Sequence, residues 1–405
     1  MPRTSATADR NRRAYLWLVG PDSAVSSGFM VAIAWVVANA THAPWAISLV
    51  LGLETLPRAC LILFGGAVAD GWGLLTSATR TFGARIVLAL AFGVVLLLPS
   101  HVQLVPLAVV ALGFGLVDAV HMPAVEGLRG LITRDPEQQR SLTSRAGAVQ
   151  QVVEVGAAPA AGALVAVRGG LVGWVCVAGL LVARMALRTI QLELPESQRE
   201  TGIFRSAWDG WLWARKEPTL LWLLAVLAVS NLMATAVVIA GVPARAEDQG
   251  WSSVVFGAVS AGLVVGMAAG AWGAGSKLVP DVLKSLPSCL VLVALSSVFF
   301  AMLAIATSAW VVAVAAALGG LVCSFAGRTF MTEVTLMTPP EYQGRIQGLA
   351  GASIYCGIPA GYAVWGVLSA FAGIAVAGVA MSVGLLLCTA CAGVALRDAT
   401  ASVSS

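Results

Sequence analysis

The sequence predicts an all-α membrane protein: twelve transmembrane helices in two pseudo-symmetric six-helix bundles. Three observations predict it. Of 405 residues, 59% are hydrophobic and 11% charged, with a mean hydropathy of +0.88. Soluble domains carry roughly 25% charge, so this chain could not cover a water-facing surface of its size. The apolar residues also gather into twelve stretches, each near the roughly 20 residues that a spanning helix needs. Finally, the two halves echo each other at an offset of 204: Pro136, Glu137 and Gln139 correspond to Pro340, Glu341 and Gln343, and Ala146-Gly147-Ala148 to Ala350-Gly351-Ala352. Parallel repeats about an axis along the membrane normal require such matched positions, and transporters built from them bind substrate where the halves meet.

The predicted spans of the first half are 15–38, 45–69, 83–99, 104–124, 141–166 and 171–190. Those of the second are 218–241, 253–274, 286–306, 309–336, 346–370 and 372–396. The domains are then 1–190, a cytoplasmic linker 191–217, and 218–405. Lys and Arg fix the orientation, because they accumulate in cytoplasmic loops. One set of loops holds Arg3, Arg10, Arg12, Arg13, Arg80, Arg134, Lys216, Lys284 and Arg345 among others, and the opposite set only Arg168 and Arg245. Both termini are therefore expected in the cytoplasm of a cell-membrane protein. The net charge of +4 reflects this topology and not nucleic-acid binding. The run from Tyr15 is too long for a cleaved signal.

Along the chain, the charges inside the spans carry most information, since ionisable groups in hydrocarbon are costly. In the first span Asp22, beside Gly20-Pro21, reads as an interfacial charge. In the second, Glu54 and Arg58 are four apart on one face, about 14 Å deep. They are either a static pair or a proton or substrate site. Asp118 and His121 share a face of the fourth span, where architecture and transport are both open roles. Glu154 lies about 20 Å into the fifth span with no charged neighbour in its own helix; it is a proton carrier or a partner for Arg58 across a cavity. The linker places Phe204, Trp208, Trp211 and Leu212 on one face, as in a helix lying along the inner interface.

In the eighth span Gly262, Gly266 and Gly270 form a four-spaced stripe suited to close internal packing. Arg328 and Glu333 lie toward the cytoplasmic end of the tenth span, where gating and snorkelling are both open. Trp35, Asn231, Tyr355, Tyr362 and Trp365 are possible substrate contacts in the cavity. The seven cysteines lie in or at the ends of apolar segments, and Cys388-x-x-Cys391 inside the last span is a packing feature.

Several stretches resemble the major facilitator superfamily, and within it the macrolide-efflux-like drug:proton antiporters. "LPRACLILFGGAVADGWG" is similar to the end of the family's second span and its Gly-x-x-x-Asp loop, with Gly66 and Asp70 on the motif positions. "GFGLVDAVHMPAVEGL" resembles the fourth-span pattern, "GWLWARKEPTLLWLL" followed by Asn231 the start of the seventh, and "PPEYQGR" the loop before the eleventh. The resemblance implies alternating access and a role for Asp70 in bracing the inward gate. The loop after Asp70 departs from the family in carrying only Arg80.

No G-x-x-x-x-G-K-[ST], H-E-x-x-H or G-x-S-x-G occurs, so neither ATP use nor hydrolytic chemistry is expected. The reading is a non-enzymatic secondary transporter without cofactor or metal, embedded in lipid as a monomer and exporting an amphipathic small molecule in exchange for protons. A proton-coupled or passive importer and a non-transporting membrane sensor are the alternatives.

Overall fold

The computed structural model describes residues 5–132, 136–167, 170–191, 211–276, 278–339 and 343–404. Among them are twelve long helices. The first six are α1 (Ser5–Thr41), α2 (Pro44–Trp72), α3 (Leu74–Val95), α4 (Leu104–Ile132), α5 (Pro136–Val167) and α6 (Gly170–Thr189). α7 runs from Pro218 to Asp248, and α8 (Ser253–Gly275), α9 (Leu286–Ile305), α10 (Ala309–Met337), α11 (Gln343–Ala372) and α12 (Ile374–Ser404) follow. Eleven are, in their described residues, long and apolar enough to cross a membrane, and α2 covers the second predicted span.

Two boundaries differ from expectation for physical reasons. α1 begins at Ser5, because hydropathy marks only the apolar part of a helix whose polar first turns, with Arg10, Arg12 and Arg13, still favour helix. α3 begins at Leu74 and not at 83, since Gly73 at φ 84 makes the whole turn from α2. The stretch read as a loop is thus helical, and Arg80 lies on α3 with its guanidinium carbon 4.9 Å from the Trp72 ring centroid. The proposed interfacial face at Phe204 and Trp208 lies outside the described residues; 211–214 form one helical turn.

The chain forms two compact units. The first contains α1, α2 from Leu53 onward, α3 to α6, and Ser252–Gly257. Here α1 packs along α5 and α6, and α3 along α4 and α6. α2 meets α4 where Gly115 lies against the backbone of Glu54; any side chain there would run into the Glu54 carbonyl. Asn11, fully buried, ties down the exit from α6: its Nδ2 donates to the Gln191 carbonyl at 2.7 Å, and its Oδ1 accepts from the Gln191 N–H at 3.1 Å.

The second unit contains His42–Gly52, α7, and α8 from Ala258 to the end. α9 packs on α10 and α12, and α7 on α11 and α12. The glycine stripe of α8 meets α10: side chains at Gly266 and Gly270 would collide with the carbonyls of Ala317 and Leu321. The stripe therefore serves packing inside this unit.

α7 is not regular. Its middle, Ala236–Gly241, is a π-turn, and Pro243 follows two residues later. Proline supplies no N–H and crowds the carbonyl four residues before it, so the helix widens there. At the far end of α7, Arg245 donates to the Ala306 carbonyl from Nε at 3.3 Å and to the Ile305 carbonyl from Nη2 at 3.1 Å, closing the C-terminus of α9.

Candidate functional site: a buried ionic network on α1 to α4

Arg85 is the centre of the site. It sits on α3 with 2% of its side chain exposed, and three groups on two other helices surround it. On α1, Asp22 Oδ1 accepts from Nη1 at 2.5 Å and Ser26 Oγ from Nη2 at 2.8 Å. On α4, Asp118 Oδ1 lies 3.3 Å from Nε in an ion pair without hydrogen-bond geometry. A guanidinium presents donors in a planar fork and keeps its charge when buried, which is why one arginine can hold two carboxylates on two helices.

His121 extends the network. Its Nε2 lies 3.2 Å from Asp22 Oδ2, and its Nδ1 2.9 Å from Thr81 Oγ1 on α3. The Thr81 hydroxyl is also 2.9 Å from the Ser77 carbonyl, which can only accept. With Thr81 donating there, its oxygen accepts from His121 Nδ1–H. Nε2 is the ring nitrogen left facing Asp22. The tautomer follows from this network of partners.

Phenylalanine rings enclose the group. Phe82 meets the His121 ring edge-on at 4.6 Å, Arg85 lies 5.8 Å above Phe114, and Phe29 contacts both Phe92 and Phe114. Asp22 keeps 15% of its side chain exposed, more than Arg85, Asp118 or His121, so it is the network's most open member.

Glu54 and Arg58 form the pair their spacing predicts, 3.4 Å apart on α2. Glu54 is buried and its Oε2 has no hydrogen-bond partner among the described residues, while Asp118 and Arg85 are its next charged neighbours. Arg58 is therefore matched to Glu54. Glu154 is half-buried on α5, and no ion pair between it and Arg58 is found among the described residues.

The other expected residues are dispersed. Trp35 is buried and stacks on Phe256 at 5.6 Å within the first unit. Asn231, half-buried, donates to the Leu227 carbonyl of its own helix at 3.0 Å, and Tyr355 is half-buried on α11. Tyr362 and Trp365 correct the expectation of cavity contacts: both are fully enclosed, because the Trp365 ring fills the space over Gly241 and Gly378. Arg328 is exposed and Glu333 half-buried on α10. The Asp70 side chain lies outside the described residues. Arg85 is the member sequence reading passed over, and Asp22 the one it read as a surface charge.

No family model matches the sequence, and no curated protein is similar to it by sequence. Solved structures are similar in shape. A bacterial homologue of the human lysosomal transporter Spinster, in an inward-facing and unoccupied conformation, matches with a TM-score of 0.70 at 14% identity, over 95% of this chain and 97% of that one. The nucleoside transporter NupG matches with 0.72 at 11% identity, over 96% and 99%. The human organic anion transporter MFSD10 matches with 0.65 at 12% identity, over 94% and 98%. At these identities the likeness speaks for architecture alone, and that architecture is the major-facilitator fold.

Proposed function

We propose that this protein is a secondary transporter that exports an amphipathic small molecule in exchange for protons by alternating access. The observation that carries the reading is the network of Asp22, Arg85, Asp118 and His121, adjoined by Glu54 and Arg58. Such groups are expensive in a bilayer, and an apolar replacement would often hold helices together as well. Their presence inside a spanning bundle supports a role in which the charge changes.

Charge counting gives that role a form. Three carboxylates against two guanidinium groups leave one negative charge in the cluster. One proton taken up by the cluster brings it to zero. Asp22, whose side chain is the most open of the four at 15% exposure, is the end at which the proton enters. Glu154 is a second candidate carrier. Solved proteins of this fold described as nucleoside and organic anion transporters support a small-molecule substrate. The resemblance of the loops to macrolide-efflux-like antiporters supports export, and the Lys and Arg distribution supports cytoplasmic termini in a cell membrane.

Proteoliposomes with an imposed pH gradient and a fluorescent amphipathic dye test the reading. Gradient-driven dye flux should be lost in Asp22→Asn and Glu54→Gln, with dye binding retained. Flux indifferent to the gradient in the unmodified protein, or coupling intact in both variants and in Glu154→Gln, would remove the proposal. The sign of the gradient that drives dye movement separates export from import.

A further inference from the structure

At the end of α1 that the Lys and Arg distribution assigns to the cytoplasm, the first unit carries a feature whose lining residues take no part in the ionic network. Arg12 and Leu16 of α1, with Gln138, Ser141, Leu142 and Arg145 of α5, enclose a small polar cavity of about 80 Å³. Arg12 places Nη2 on the Gln138 carboxamide oxygen and Nη1 3.4 Å from the exposed Asp9 carboxylate, while its Nε is buried and unpartnered among the described residues. Arg145 is exposed at the rim. Two arginines against one solvated aspartate leave the cavity positive.

Directly beyond it, between the same two helices, lies an apolar groove of about 520 Å³. Leu16, Trp17, Pro21 and Ala24 form one wall, and Val149 and Val153 the other. Leu16 lines both spaces, so they adjoin. Gly20 brings the α1 backbone against Val149 and Val153 at its floor. From Arg12 to Ala24 the helix rises about 18 Å, close to the roughly 15 Å of hydrocarbon in one leaflet. Trp17, 68% exposed, stands at the join, the level at which tryptophan anchors at the headgroups.

We propose that this pair of cavities binds one anionic phospholipid of the cytoplasmic leaflet. Its phosphate lies on Arg12 and Arg145 and one acyl chain lies along the α1–α5 groove. A guanidinium matches phosphate with two parallel hydrogen bonds, and basic pockets between helices on this side of the membrane select acidic headgroups. A free phosphate would leave the groove empty, and a neutral lipid would leave the arginines unused.

Native mass spectrometry of the full chain, extracted from bilayers of equal phosphatidylglycerol and phosphatidylcholine, tests this. One phosphatidylglycerol should stay bound where phosphatidylcholine does not. The Arg12→Gln/Arg145→Gln double variant should retain it about thirtyfold less, and Val149→Phe, which fills the groove with both arginines in place, should also release it. Should the double variant fail to yield monodisperse protein, Arg145→Gln alone, changing an exposed side chain, should give about a fivefold loss. Equal retention of the two lipids, or retention unmoved by loss of the arginines, overturns the proposal. Loss with the arginine variants but not with Val149→Phe, together with displacement by inorganic phosphate, overturns it in favour of a simple anion site.

Discussion

Arg85 Nη1 on α3 donates to Asp22 Oδ1 on α1 at 2.5 Å, and through Nε the same side chain faces Asp118 on α4. Three helices of the first unit are thus held to one cation with 2% exposure. Arg85→Gln should strip charge from between two buried carboxylates and destabilise this unit by about 3–5 kcal/mol. Asp22→Asn, at the more open end, should do much less damage. Thermal unfolding in detergent orders the two variants, and a reversed order would show that Arg85 is not the keystone.

Glu54→Gln keeps the shape of a buried side chain whose Oε2 has no partner among the described residues, and removes its charge. Gradient-driven flux should fall at least about tenfold, as expected when a proton-handling group is lost, while exchange of labelled for unlabelled dye at equal pH continues. Loss of both activities together would place Glu54 in folding or substrate binding.

In the second unit, Gly266→Leu forces a side chain against the Ala317 carbonyl at the α8–α10 crossing. Overpacking of this kind costs about 1–3 kcal/mol, which should appear as a lowered melting temperature. Gly275→Ala, facing open space at the end of the same helix, is the control and should be silent.

Arg245 is one of two cations counted on the side of the membrane poor in them, and it is bound to the carbonyls that end α9. Arg245→Gln should therefore lower stability by about 1–2 kcal/mol without inverting topology. Accessibility of a cysteine placed at Ser308 to a membrane-impermeant reagent reads the orientation alongside the melting curve.

Hydropathy made the helices legible because bilayer crossing is a property of composition over roughly 20 residues. The Glu54–Arg58 pair was equally legible, since four residues return to the same helix face. Arg85 was not. The span beginning at 83 left it at a membrane edge, where an arginine needs no explanation. With α3 starting at Leu74, Arg85 stands about 16 Å along the helix. Its partners lie on α1 and α4, and no local spacing joins residues 22, 85 and 118. Trp365 was misread for the opposite reason: aromatic character suggests a binding surface, whereas its ring is used to fill the space at Gly241.

The widened turn at Ala236–Gly241 has a bearing on any scan of α7. One additional residue in a turn rotates everything downstream by about 100° relative to a 3.6-residue repeat. Labelling reactivity measured residue by residue from Leu220 should therefore oscillate regularly to about Thr235, slip in phase, and resume with the same period from Val242.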